Sequence, residues 1–132
     1  SETDPYGRFI KQYEFLTHSQ ILPMIEKSDI YIFASSCENM PNTLVEGMSA
    51  GLPIACSDRG PMPEVLQDGG TYFDPEEPST IVDAITKIIN HEQSRIRMAK
   101  RAKELSSRYS WRRCGNETWQ YIMTILEKVD DV

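Results

Sequence analysis

Apolar positions fall first into short runs broken by turn residues, and later into helical periodicity. Residues 9–16, FIKQYEFL, alternate like a strand. Thr17 to Gln20 fits a capping box, and Ile21, Leu22 and Ile25 then form one face of a short helix ending near Lys27. Pro23 restricts that helix to a late start, near Ser19. Residues 29–34, DIYIFA, are β-branched and aromatic and too few for a typical helix, so they predict a buried parallel strand. Pro41 suits the first position of the next helix, with Asn39 or Met40 as its cap and Gly51 as its stop. Residues 52–56 predict a second buried strand, 62–67 one or two helical turns, and 71–73 a short last strand after the turn Asp68-Gly69-Gly70.

Beyond residue 78 the pattern is helical. Ser79 is the expected cap of a helix reaching Asn90, with Ile81, Val82, Ile85, Ile88 and Ile89 as its face. Ile96, Ala99, Ala102 and Leu105 mark the next helix. Ser110 caps the last, which runs to about Lys128 with a stripe of Tyr121, Ile122, Ile125, Leu126 and Val129. Trp111 and Trp119 are expected to pack rather than to bind a ligand. Short strands alternating with helices predict an α/β fold. Its form is a Rossmann-like parallel sheet of about four strands with helices on both faces, about six in all.

A chain of 132 residues is enough for one domain with one core, spanning 1–132, after a polar lead-in over 1–7 that is expected to be disordered. No apolar run approaches the length of a membrane span, and the first residues lack the basic and apolar regions of a signal peptide. Cys37, Cys56 and Cys114 cannot all pair within one chain and form no C-x-x-C, which fits free thiols in a reducing cytoplasm. His18 and His91 have no neighbouring cysteine, so no metal site is expected. A net charge of −6 argues against nucleic-acid binding. Eight of the fourteen basic residues nonetheless lie between Arg95 and Arg113. The plainer reading is a solvated helix face; the sharper one is peripheral contact with anionic lipid.

The chemistry concentrates between Ser35 and Gly60. Ser35, Ser36 and Cys37 bring the chain out at a strand's carboxyl end, the edge at which open α/β sheets bind ligands. The first-turn amides of Asn42, Thr43 and Leu44 lack helical acceptors and favour an anion such as a diphosphate. The helix dipole adds only about 0.3–1 kcal/mol, so several N–H donors are needed. Glu46 lies one turn deeper on the face of Asn42 and Thr43, placed to accept hydrogen bonds from a diol such as ribose. Glu38, at the strand tip, would grip sugar hydroxyls or face positive charge developing at an anomeric carbon. Gly60, in the loop after the second buried strand, permits close approach of backbone to ligand. The bland reading is that two glutamates eight apart are solvated surface groups. Arg59 reads as a solvated arginine before a phosphate partner, Glu64 as a first-turn residue, and His18 as a surface residue before a donor contact.

The segment ENMPNTLVEGMSAGLPI resembles the E-x7-E segment of retaining group 1 glycosyltransferases of the GT-B fold. SDRGPMPEVLQDGGTYFDPEEP resembles the segment that follows it in that family, and the likeness runs from Tyr13 to about Leu126. The resemblance implies a donor site in which Glu38 contacts the sugar as the catalytic carboxylate. Glu46 would hold the ribose, the amides of Asn42, Thr43 and Leu44 the diphosphate, and Met40 and Gly60 would line the site. Met40 stands where the family often has an aromatic residue, and Pro41 where it often has Gly, which removes one backbone donor. Glu14 and Phe15 replace a Gly that usually ends the first strand.

The resemblance further implies a nucleotide diphosphate sugar as donor, UDP before GDP, with no cofactor and no metal. This chain would be the later part of the C-terminal donor domain. The earlier strands of that domain and an N-terminal acceptor domain would lie outside it. The chain alone is then expected to bind donor weakly, to catalyse nothing, and to self-associate through open sheet edges. A non-catalytic sugar-nucleotide-binding or protein-interaction module of the same fold is the alternative. An epimerase is disfavoured by the E-x7-E pattern. A dinucleotide oxidoreductase is disfavoured because no G-x-G-x-x-G follows a strand.

Overall fold

A computed structural model of the chain describes residues 3–130. Three parallel strands form one sheet in the order β1-β2-β3, with β1 at Tyr31–Phe33, β2 at Ile54–Ser57 and β3 at Gly70–Phe73. Tyr31 pairs with Ile54 and Phe33 with Cys56, while Ile54 pairs with Gly70 and Ser57 with Phe73. Six helices complete the described residues: α1 His18–Glu26, α2 Asn42–Ala50, α3 Met62–Leu66, α4 Pro78–Asn90, α5 Glu92–Ser106 and α6 Trp111–Asp130.

The pleat sorts β2 between two apolar layers. Ile54 and Cys56 face Leu44 and Met48 of α2, Met62, Val65 and Leu66 of α3, and Ala102 and Leu105 of α5. Ala55 and Phe73 face Ala84 and Ile88 of α4 on the other side. The fold is therefore the expected Rossmann-like α/β arrangement with helices on both faces of a parallel sheet. Every residue of β2 is buried, as a central strand covered on both faces must be. Gly51 ends α2 in the left-handed region, at φ 75°, a conformation that costs glycine no Cβ clash.

Several sequence expectations change. Residues 9–16 are not a strand, so the sheet has three strands rather than about four. Phe9 is 88% and Phe15 85% exposed. Alternation is not sufficient for a strand, since a strand also needs a neighbour to take its backbone hydrogen bonds. The amides of Arg8, Phe9 and Ile10 instead donate to the Asp4 carboxylate at 2.9, 2.6 and 2.7 Å. Those bonds, led by that of Ile10, hold the Asp4 carboxyl below its usual range.

β1 is a strand as expected, but Ile32 is 47% exposed. It points to the face that α4 covers only over β2 and β3. The caps also move. Pro41 itself is the cap of α2, and Glu77 rather than Ser79 caps α4. Val82 and Ile89 stay exposed while Ala84 joins the buried face of α4. Ser110 does cap α6, its Oγ accepting the Arg113 N–H at 3.2 Å. Every residue of α6 from 111 to 128 is exposed, including Trp111 and Trp119, which were expected to pack. Their stripe finds no covering surface among the described residues. Val129 of that stripe lies outside the residues whose side chains are described.

Candidate functional site

The candidate site lies at the carboxyl ends of β1 and β2, and α2 anchors it. Leu44 and Met48 are fully buried in the α2 interface with the sheet, each worth about 1.5–3 kcal/mol of apolar burial. Gly47 lets the Tyr31 ring of β1 lie directly on the helix, because a Cβ there would stand 2.6 Å from the ring. The Tyr31 hydroxyl then donates to the Thr43 carbonyl at 3.0 Å. Burial and, after it, the negative charge of Glu46 raise the Tyr31 phenol pKa, so it stays a donor. Strand, helix and first turn thus hold one another in register.

At the start of α2, the Asn42 N–H donates to the Met40 carbonyl at 2.9 Å, and the Val45 N–H makes the first helical bond to Pro41 at 3.1 Å. Of the three amides expected to be open, that of Asn42 is therefore engaged. Those of Thr43 and Leu44 take no acceptor among the described residues. Pro41, with ψ 74°, offers neither a side-chain cap nor an N–H. Two amide donors and the helix dipole are what this terminus presents to an anion.

Glu38 sits in the loop that leaves β1, partly exposed, where Ser35 Oγ donates to the Cys37 carbonyl at 3.3 Å. Gly60 sits in the loop that leaves β2, at φ +50°, and a Cβ on it would lie 3.9 Å from the Glu38 carbonyl oxygen. The two loops therefore meet. Met40 is 39% exposed beside them.

Glu46 lies one turn into α2, and its Oε1 is 3.5 Å from Nδ1 of His18 at the start of α1. The separation in sequence gave no signal for this contact. The Arg59 guanidinium makes two 2.8 Å bonds to the Asp74 carboxylate and lies 3.5 Å from Asp58, so it is ion-paired while its side chain stays 43% exposed. An arginine reaching across fifteen positions leaves no local pattern. The clamp ties the loop before Gly60 to the segment after β3, and the Asp58 N–H adds a 2.9 Å bond to the Phe73 carbonyl. Glu64 is in the first turn of α3, as expected.

Of the basic stretch, Arg95 donates to the last carbonyls of α4, Arg101 pairs with Asp68 at 2.7 Å and Arg113 with Glu117 at 2.6 Å. No helix of the described residues is long and apolar enough to cross a membrane.

Residues 9–105 match the family described as glycosyl transferases group 1. The chain is 28% identical over 120 residues to spore coat protein SA of Bacillus subtilis strain 168, covering 87% of this chain and 31% of that protein. Its structure is similar to that of sucrose-phosphate synthase from Thermosynechococcus elongatus, with a TM-score of 0.76 at 16% identity over 86% of this chain and 29% of that one. It also resembles the C-terminal domain of a group 1 family glycosyl transferase from Francisella tularensis, with a TM-score of 0.62 at 22% identity over 72% of this chain and 50% of that one. At those identities the likeness to solved structures concerns the fold, and the chain spans about a third of the curated relative's length. The match over residues 9–105 shows that the chain belongs to the group 1 glycosyl transferase family.

Proposed function

We propose that this chain is the donor-binding part of a retaining glycosyltransferase. The intact protein would move a sugar from a nucleotide diphosphate to a glycan or lipid-linked acceptor. The observation that carries the reading is the convergence of the Glu38 and Gly60 loops beside the start of α2, where two amides remain open and Glu46 follows one turn later. In this reading the amides of Thr43 and Leu44 hold the diphosphate. Glu46 accepts from the ribose hydroxyls. Glu38 contacts the sugar and faces the positive charge that develops at its anomeric carbon as the bond to the diphosphate breaks. Met40 and Gly60 line the sugar side. No metal has a part in this scheme, and a UDP-sugar is favoured over a GDP-sugar.

The acceptor side of the reaction belongs to a further domain of the intact protein, so the chain alone binds donor weakly and transfers nothing. The test is an amide NMR titration with UDP, GDP and their common sugars. Shifts centred on Glu38 to Glu46 that vanish in Glu46→Ala are the expected result. An unchanged spectrum at millimolar nucleotide, in this chain and in the intact protein alike, would overturn the reading.

A further inference from the structure

Glu46 has one ionisable neighbour that the reading above leaves idle. His18 Nδ1 stands 3.5 Å from Glu46 Oε1, with the His18 side chain 68% and the Glu46 side chain 24% exposed. The imidazole is not carried there by a loose loop. The Thr17 N–H donates to Gln20 Oε1 at 2.9 Å and the Thr17 hydroxyl to the same oxygen at 2.8 Å, which fixes the first turn of α1. Ile25 buries the far end of that helix, and α1 lies against α2. The other group beside the carboxylate is Tyr31, whose hydroxyl is already spent on the Thr43 carbonyl. His18 is the side chain whose ring nitrogen the structure places against the Glu46 carboxylate.

A carboxylate that must accept from two adjacent hydroxyls has to present a set edge, and a free glutamate samples several rotamers. A ring nitrogen held 3.5 Å from one oxygen biases that edge and leaves the remaining lone pairs for the diol. Resting on the donor-site reading, we propose that His18 is a positioning residue that aims Glu46 at the ribose diol and so sets the preference for ribonucleotides over deoxyribonucleotides. His18 touches the site through Glu46 and does not take part in sugar transfer.

The test compares dissociation constants for UDP, 2′-deoxy-UDP and inorganic diphosphate in the wild-type chain, Glu46→Ala, His18→Leu and His18→Asn. Wild type is expected to favour UDP over its deoxy analogue. His18→Leu is expected to lower UDP affinity roughly threefold to tenfold and shrink that preference, with diphosphate affinity unchanged. His18→Asn keeps an N–H near the position of Nδ1 and is expected to restore most of the preference. Equal preference in His18→Leu and wild type would overturn the proposal while leaving Glu46 in place. A parallel loss of diphosphate affinity in His18→Leu would also overturn it, because that marks a general disturbance of α1. An unchanged preference in Glu46→Ala, or no nucleotide binding by wild type in this chain and in the intact protein alike, would overturn the donor-site reading itself and the proposal with it.

Discussion

Gly47→Ala tests how α2 is held against the sheet. Glycine inside a helix costs roughly 1 kcal/mol relative to alanine, so on propensity alone the substitution should stabilise. The packing argues the opposite. The new Cβ would stand 2.6 Å from Tyr31 Cδ1, 2.8 Å from Cε1 and 2.9 Å from Cγ. Carbon atoms rest about 3.5–4.0 Å apart, so the ring must retreat by about 1 Å. Overpacking of this kind costs about 1–3 kcal/mol. Retreat also strains the 3.0 Å bond from the Tyr31 hydroxyl to the Thr43 carbonyl, worth about 0.5–1.5 kcal/mol. Against the propensity gain, the net loss is about 1–3 kcal/mol. Urea unfolding followed by circular dichroism measures it. The decisive arm is Tyr31→Ala. Without the ring, Gly47→Ala should become neutral or stabilising by up to about 1 kcal/mol. A stability equal to wild type in the first background, or the same cost in both, would refute the reasoning.

Other outcomes follow from the same structure. Cys56 is buried and its thiol is pushed up to about 12, whereas Cys37 and Cys114 are exposed; a thiol reagent should modify those two in the native chain and Cys56 only on unfolding. Asp74 is held below its ordinary 3.8 by the Glu76 amide first and Arg59 next. Its contribution to stability is therefore full above that value and drains away as the pH falls through the lower folded one. Asp74→Asn should flatten the loss of stability on acidification in a pH series of urea melts, and a slope identical to wild type would count against the clamp. The free edge of β1 exposes backbone donors and acceptors along one side; sedimentation velocity should show self-association as concentration rises, and a single monomer boundary at high concentration would exclude it.

What was legible in the sequence was whatever depends on near neighbours. β2 announces itself because a strand covered on both faces is apolar throughout. Gly51 marks the end of α2 because the chain there needs a left-handed residue. Residues 9–16 misled because alternation records a face and says nothing about a partner strand. The α6 stripe misled in the same way, since apolar periodicity records that a face is to be covered but not by what. Of the candidate site, the placement of Glu38, Glu46 and Gly60 near the start of α2 was readable from a strand, a turn and a helix in succession. The Asn42 amide was misread because Pro41 with ψ 74° closes a tight turn onto Met40. The Arg59–Asp74 clamp and the His18–Glu46 contact arise only when the sheet brings distant loops together.

These two origins predict unequal firmness across the site. On the proposed reading, the diphosphate side rests on α2, whose Leu44, Gly47 and Met48 are buried against the sheet. The nucleoside side depends on α1, where Ile25 is the one buried residue and the chain leading into it is almost wholly exposed. Pro23 inside α1 further removes one helical hydrogen bond. Local opening free energy follows buried apolar contact. Amides of α2 should therefore exchange with deuterium only near the global unfolding limit, while those of α1 open well below it. Ligand should then protect α1 more than α2, because α1 has more order left to gain. Equal protection of the two helices in the free chain would mean that α1 is anchored by something other than Ile25 and its cap. The unequal firmness argued for the two sides of the site would then be wrong.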